Sequence, residues 1–503
     1  MNVQVFKKRD TIFTLILLFS SFILRMVNLG YSDYQGDEIK ALFLPDQGQN
    51  ISAFLLDQRK GPVQFIVTFF IKFINPDYSN EFLTRLPFAL AGIFAVLVFY
   101  KFLKLHFKDE VAFFASFFLS TNGFLIAFSR IVQYQSFVIL FMLLSLYFFS
   151  LALKNDNWRP KGVYFGIISW AVSILSHYDG IFIFPFVFFL FFKLIKTAPN
   201  IKKHLLFSFL TFTLLISVFY IPFIFSISQS TLEYWTNRLS GGSEKISSSK
   251  YLFTVYHPIY TIHIYTLLAA LGFSRFVFEK IRKRILMDET FFILLWLLVT
   301  VVFLEIIVNI PGTHIFTYLI PLSFFIGYGI KTIKDLIFWF IKHYVANLVT
   351  YFGILIVFSF LFLQSYAVFV DHSNEYPWEG EKFLIWEFPK PTPIFHLSMF
   401  GFPYNRNWEE IRDIIISSQN NGYYSTNERE SISRYYIPLN KSSEKAGYYI
   451  LIRNPQSFNE TVANLRVKTW IDNNLPVFTV SKSGKNIVEI YYIPDNFILT
   501  SQI

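Results

Sequence analysis

The sequence predicts a polytopic α-helical membrane protein with about eleven transmembrane helices and a small C-terminal α/β domain outside the membrane. Three observations carry that prediction. Hydrophobic residues make up 54% of the chain and charged residues 16%, whereas a soluble chain carries about a quarter charged. The apolar residues, which include 65 phenylalanines over the whole chain, fall mostly in long runs before residue 370, as membrane-spanning helices require. Beyond residue 370 the sequence turns polar and shows short strand-like runs.

The elements follow in order. Lys7-Lys8-Arg9 precedes the apolar stretch Thr11 to Leu24, with no small-residue cleavage site after it. This reads as an uncleaved first span. Spans are expected near 11–30, 82–105, 111–128, 132–153, 162–178, 180–196, 204–228, 252–276, 290–310, 313–333 and 346–368. The apolar stretch Gly61 to Ile74 is too short to cross: roughly 14 residues rise only about 20 Å. It is expected to form an interfacial or re-entrant helix, over 61–75.

Charge supports that choice. With eleven spans, the basic clusters fall on one side: Lys7 to Arg9; Lys101, Lys104 and Lys108; Lys154, Arg159 and Lys161; Lys193, Lys196, Lys202 and Lys203; Arg275 and Lys280 to Arg284; and Lys331, Lys334 and Lys342. Were the short stretch to span, the positive-inside rule would fail repeatedly. The N-terminus is then cytoplasmic. Residues 31–81 form a large first external loop, and 229–251 a longer external loop with Gly241-Gly242 in it. Residues 1–370 form the membrane domain. Residues 371–503 follow a linker marked by Pro377, Pro389, Pro391 and Pro393. That second domain has a helix at 408–417 and strands at 448–452, 477–480 and 487–492, and lies on the same side as the first external loop.

Composition excludes several classes. The absence of cysteine removes disulfide, zinc–thiolate and cysteine-nucleophile chemistry. The net charge of +10 is an orientation signal in a membrane chain and not a nucleic-acid surface.

The candidate functional residues gather at the external ends of spans. Asp37-Glu38 lies in the first external loop, where a carboxylate can act as general base on a lipid-borne substrate. The same pair could instead cap a short helix. Arg59-Lys60 offers positive charge for a phosphate, or an anchor to anionic headgroups. Arg130, in the turn Ser129 to Gln135, faces the same two alternatives. Its neighbours Gln133, Tyr134 and Gln135 can hydrogen-bond a sugar or simply pack. His177, Tyr178 and Asp179 precede Gly180 in a turn that either binds substrate or only reverses the chain. His314 and Tyr318 are four residues apart, which puts them on one helix face. A divalent metal is conceivable near the histidines. No ligand spacing supports one, so no cofactor is assigned.

In this order these pieces resemble the GT-C superfamily of membrane glycosyltransferases. The resemblance is to the PMT-like branch, glycosyltransferase family 39, of protein O-mannosyltransferases and lipid A aminoarabinose transferases. Asp37-Glu38 matches the family's Asp-Glu pair after the first span. Lys60-Gly-Pro-Val63 loosely matches a Lys/His-Pro-Pro-Leu motif, and Thr84-Arg-Leu-Pro-Phe88 an Arg-Leu/Phe-Pro segment. Ser129-Arg130 and Phe316-Thr-Tyr-Leu-Ile-Pro321 match later motifs. The chain departs by having Gly-Pro for Pro-Pro, no acid in the second external turn, and Arg59 where some relatives have Glu.

The resemblance implies a polyprenyl-phosphate sugar as donor and a lipid, glycan or protein hydroxyl as acceptor. It implies Asp37 as base, with Glu38 in the catalytic pair, and inversion at the anomeric carbon. Lys60, Arg59 and Arg130 would hold the departing phosphate. The expected location is a bacterial inner membrane. The rival is a polytopic transporter or lipid flippase, which would show internal repeats and mid-membrane ionisable groups.

Overall fold

A computed structural model of the chain describes residues 3–240, 256–283, 287–341, 343–390, 400–418, 421–442, 445, 447–457, 461–462, 465–482 and 484–494. The helices are α1 (Val3–Met26), α2 (Gly36–Ile39), α3 (Ile51–Leu56), α4 (Val63–Ile71), α5 (Glu81–Lys104), α6 (Asp109–Thr121) and α7 (Gly123–Ser129). They continue with α8 (Gln135–Lys154), α9 (Arg159–Ser176), α10 (Phe184–Thr197), α11 (Lys202–Ser226), α12 (Gln229–Ser240) and α13 (Thr261–Lys283). The last long helices are α14 (Glu289–Val301), α15 (Phe316–Phe340) and α16 (His343–Phe369).

Among the described residues, eight helices are long and apolar enough to cross a membrane. The pair α6 and α7 adds a ninth if counted as one span broken by 61°. The break has a local cause: Asn122 caps α7 by accepting a hydrogen bond from the Leu125 amide. The remaining two predicted spans coincide with α1 and α9, which are more polar. α1 carries Arg9, Asp10 and Arg25, and α9 opens with Arg159 and Lys161.

α15 runs through the middle of the bundle and is buried along most of its length. It packs on α13 and α6. Gly329 permits this contact, because a Cβ there would stand 1.9 Å from the Leu268 carbonyl oxygen. α11 lies at the rim, with Leu214, Val218, Ile224 and Phe225 exposed, as a lipid-facing helix would be. At one end, ion pairs tie helix termini together: Lys104 to Asp10 at 2.6 Å, Lys334 to Glu110 at 2.8 Å and Lys193 to Glu289 at 2.7 Å. The predicted basic clusters therefore do share an end. Arg284 and Lys342 lie outside the described residues.

The first loop sits at the other end. α4 has nine residues, about 13 Å of rise, so it cannot span. It buries Gln64, Phe65, Thr68 and Ile71 against its neighbours and leaves Ile66 and Phe70 exposed. The expected long loop over 229–251 is instead a helix, α12, in its described half; residues 241–251 lie outside the described residues.

Beyond α16 a two-stranded hairpin, β1 (Lys382–Phe383) and β2 (Trp386–Glu387), packs Trp386 on Phe360 of α16. This stretch, expected as a linker, is thus held to the bundle by buried aromatics: Tyr376, Trp378, Phe383 and Phe388 join its core. Pro391 and Pro393 lie outside the described residues. Then come α17 (Trp408–Ser417), β3 (Tyr423–Thr426), α18 (Glu430–Tyr436), β4 (Asn440–Lys441), β5 (Gly447–Ile452), α19 (Leu465–Asn473), β6 (Phe478–Lys482) and β7 (Lys485–Ile493). The five strands form one mixed sheet in the order β4-β3-β5-β7-β6. β3 is parallel to both its neighbours, whereas β7 is antiparallel to β5 and β6.

The sheet's core is continuous with the first loop. Tyr34, Ile39, Leu42 and Tyr78 pack with Trp408, Ile411, Ile432 and Tyr436 in one apolar cluster. Hydrogen bonds pin the same seam. The Asp33 amide donates to the Tyr404 carbonyl at 3.1 Å, and the Tyr34 amide to the Tyr436 hydroxyl at 2.8 Å. The Arg406 amide donates to the Asp33 carboxylate.

Candidate active site

α2 is a single turn, and Glu38 holds it in place. One Glu38 oxygen accepts from the Gln35 amide at 3.0 Å, closing a capping box. Arg85 of α5 grips both oxygens at 2.8 Å each, and the Val132 amide adds a third side at 2.9 Å. Both side chains are buried. Glu38 is therefore a positioning residue with no oxygen turned to a substrate. Asp37, its neighbour, points the other way. Its carboxylate is 3.9 Å from Lys40, is 47% exposed, and borders a cavity of about 840 Å³.

That cavity collects most of the candidates: Asp37, Arg59, Lys60, Gln133, Tyr134, His177, Tyr178 and His314 all line it. Gln133 joins two of them. Its side-chain oxygen accepts from Lys60 at 2.8 Å while its amide donates to the Asp37 carbonyl at 2.6 Å. Gln133 brings no charge to Lys60; the carboxylate that acts on its ammonium is Asp37. Lys60 also stands 5.1 Å from the Tyr134 ring, and burial pushes its ammonium down to about 8. Arg59 lies over Tyr234 at 4.7 Å.

Lys60 is followed by Gly-Pro for a visible reason. A Cβ on Gly61 would stand 1.9 Å from the Leu175 carbonyl oxygen at the end of α9. Only glycine lets the Lys60 loop approach so closely. Gly61→Ala is expected to cost about 1–3 kcal/mol. Thermal unfolding in detergent checks this, and an unchanged melting temperature would refute the close approach.

Three candidates lie elsewhere. Arg130 is buried and caps the C-terminal end of α1. It donates to the carbonyls of Leu24, Val27 and Asn28 at 3.2, 2.9 and 3.1 Å, where a cation suits the helix dipole. Tyr318 turns away and donates to Glu305 at 2.9 Å. It shares no face with His314, because α15 begins only at Phe316 and His314 belongs to the preceding 3₁₀ turn Gly312–Ile315. Asp179 is buried behind the wall, 2.7 Å from His314 Nδ1 and 3.2 Å from His177 Nδ1.

Sequence reading missed Arg238, Tyr234 and Trp235 of α12, together with Lys40 and Thr313, all of which line the cavity. Arg238 Nη1 lies 3.1 Å from His314 Nε2. The signal was present. Residues 229–240 contain neither Gly nor Pro, Tyr234 and Arg238 are four apart, and Gly241-Gly242 is a helix-stop pattern. With Arg238 counted, four cations (Lys40, Arg59, Lys60, Arg238) face two carboxylates (Asp37, Asp57) around the cavity. The site is electropositive and suits an anion.

Comparison with known proteins places this geometry. Residues 61–221 match the family model of dolichyl-phosphate-mannose-protein mannosyltransferases. The structure of ArnT from Cupriavidus metallidurans bound to undecaprenyl phosphate superposes with a TM-score of 0.53 at 11% identity, covering 97% of this chain and 98% of that one. The chain shares the fold of ArnT. ArnT in its apo state gives a TM-score of 0.52 at 12% identity with the same coverage. No curated protein matches the sequence. The family-model match begins just after Lys60 and ends before Arg238, so neither cation is covered by it.

Proposed function

We propose that the protein is a membrane glycosyltransferase that moves a sugar from a polyprenyl-phosphate donor to an acceptor hydroxyl at the external membrane face. The observation that carries the reading is the convergence of one carboxylate, Asp37, with Lys60 and Arg238 on a single cavity at one end of the bundle. Asp37 takes the acceptor's proton. The acceptor oxygen attacks the anomeric carbon opposite the phosphate, so configuration inverts. The bond from that carbon to the phosphate oxygen breaks, and the phosphate leaves with the electron pair. Lys60 and Arg238, with Arg59, stabilise the charge that grows on it. Gln133 and Tyr134 are available to sugar hydroxyls.

A path for the lipid supports the same reading. A smaller apolar cavity of about 130 Å³ shares Arg59, Lys60, Tyr178 and Trp235 with the main one and is lined by Phe219, Phe223 and Ile224 of α11. A prenyl chain attached to a phosphate at Lys60 could run there toward the exposed face of α11, held by apolar burial. The undecaprenyl phosphate bound by ArnT belongs to the same ligand class.

The rival, a transporter or flippase, is tested with purified protein in detergent, where no membrane separates two sides. Sugar transfer from a defined polyprenyl-phosphate sugar to a hydroxyl acceptor supports the proposal. Donor binding without any transfer to a panel of acceptors would favour transport. Mass spectrometry of lipid-linked sugars from cells with and without the protein names the donor.

The depressed Lys60 ammonium gives a pH signature. Its charge is present below about pH 8 and lost above it, so donor KM is expected to rise about tenfold per unit above that point. Lys60→Met should raise donor KM at pH 7 and flatten this dependence. A KM that stays level from pH 7 to 9.5 in the unmodified protein would remove Lys60 from the phosphate site.

A further inference from the structure

The wall of the cavity holds a cluster that the proposed reaction does not use. His177 ends α9, Asp179 sits in the 3₁₀ turn Tyr178–Ile183, and His314 sits in the 3₁₀ turn Gly312–Ile315. All three are buried, and one ligand-type atom of each lies within 4.8 Å of the others. Among the described residues Asp179 pairs with no lysine or arginine; only the two imidazoles face it. A buried carboxylate without a cation is strongly disfavoured.

A hydrogen bond from Arg238 fixes the His314 tautomer. A guanidinium only donates, so His314 Nε2 accepts from Arg238 and Nδ1–H donates to Asp179. His177 Nδ1 lies 3.2 Å from both the Asp179 amide and the Asp179 carboxylate. Two imidazole nitrogens therefore converge on one buried carboxylate oxygen.

We infer that His177, Asp179 and His314 bind a divalent transition metal of the zinc class. Two imidazoles and a carboxylate are a donor set such ions take, with a further position left open. Donors about 2.1 Å from a tetrahedral zinc stand roughly 3.4 Å apart. The separations from Asp179, 2.7 and 3.2 Å, need widening by about 0.7 and 0.2 Å, and the two imidazole nitrogens lie within 4.8 Å of each other. The surroundings hold the donors in place. The His177 ring stacks on Tyr134 with centroids 4.2 Å apart. Trp170 donates to the Gly180 carbonyl at 2.9 Å and pins the Asp179 turn. The ion balances the Asp179 charge. It also moves the His314 proton from Nδ1 to Nε2, where it can no longer accept from Arg238. Metal binding thus frees Arg238 toward the cavity.

The test is independent of any transferase activity. Detergent-purified protein is stripped with chelator, titrated with zinc, and followed by elemental analysis and thermal unfolding. Expected are one zinc per chain, a melting temperature that rises with zinc, and loss of binding in Asp179→Asn. Arg238→Ala should keep the stoichiometry and tighten affinity severalfold, because it removes the donor that opposes a hydrogen on His314 Nε2. Failure of the unmodified protein to take up zinc at micromolar concentration would overturn the inference and leave the cluster as a support for Arg238. So would full retention by Asp179→Asn. If Asp179→Asn does not fold, the unmodified protein and Arg238→Ala decide the matter.

Discussion

Asp37→Asn is expected to lower kcat by about a thousandfold while leaving donor KM within about threefold. General-base catalysis contributes roughly 10²–10⁴-fold, and an amide of the same shape cannot take a proton. The substitution is clean because nothing structural hangs on this carboxylate. α2 is held through Glu38 and the backbone of Asp37, and the one ion pair of Asp37 among the described residues, to Lys40 at 3.9 Å, is largely exposed. Exposed pairs of this kind contribute little to stability. The melting temperature should therefore stay put while turnover falls. Undiminished turnover on a defined polyprenyl-phosphate sugar would remove Asp37 from the role of base.

The second large effect is on folding. Arg85→Met is expected to destabilise the protein by about 3–5 kcal/mol, the usual cost of breaking a buried ion pair from one side. Glu38 would remain buried with its charge. The carbonyls of Leu29, Ser32 and Asp33, all of which accept from Arg85, would lose their donor. Adding Glu38→Gln should recover part of that loss, because a neutral amide tolerates burial better. Thermal unfolding of the two single variants and the double variant measures the coupling. A double variant no more stable than Arg85→Met would show that Arg85 acts through the carbonyls alone.

The helical bundle was legible in sequence because each span is a long apolar run. Charge kept the stretch over 61–75 out of the span count, and the helix found there, α4, has only nine residues. Asp37 and Lys60 were legible because they stand in the first loop beside apolar sequence, where few other polar motifs compete. Glu38, Arg85 and Arg130 show where such reading stops. Charged side chains near span ends look alike in sequence, and burial decides their work. Arg130 caps a helix and Arg85 fastens a turn, while Arg238, in a segment read as loop, faces the cavity. In the C-terminal sheet, α17 and the three longer strands carry recognisable periodicity. β3 and β4 do not, having four and two residues.

The seam between the first loop and the C-terminal sheet also sets an order of events. The turn that presents Asp37 is fastened by partners 402 residues further along, such as the Tyr436 hydroxyl on the Tyr34 amide. During synthesis the bundle helices emerge long before those partners exist. Its last fastenings cannot form until the sheet has been made and has reached the same side of the membrane. The mature shape of the Asp37 turn is thus a late product of biogenesis, and a chain stopped before residue 404 would hold Asp37 and Lys60 without the contacts that complete their frame.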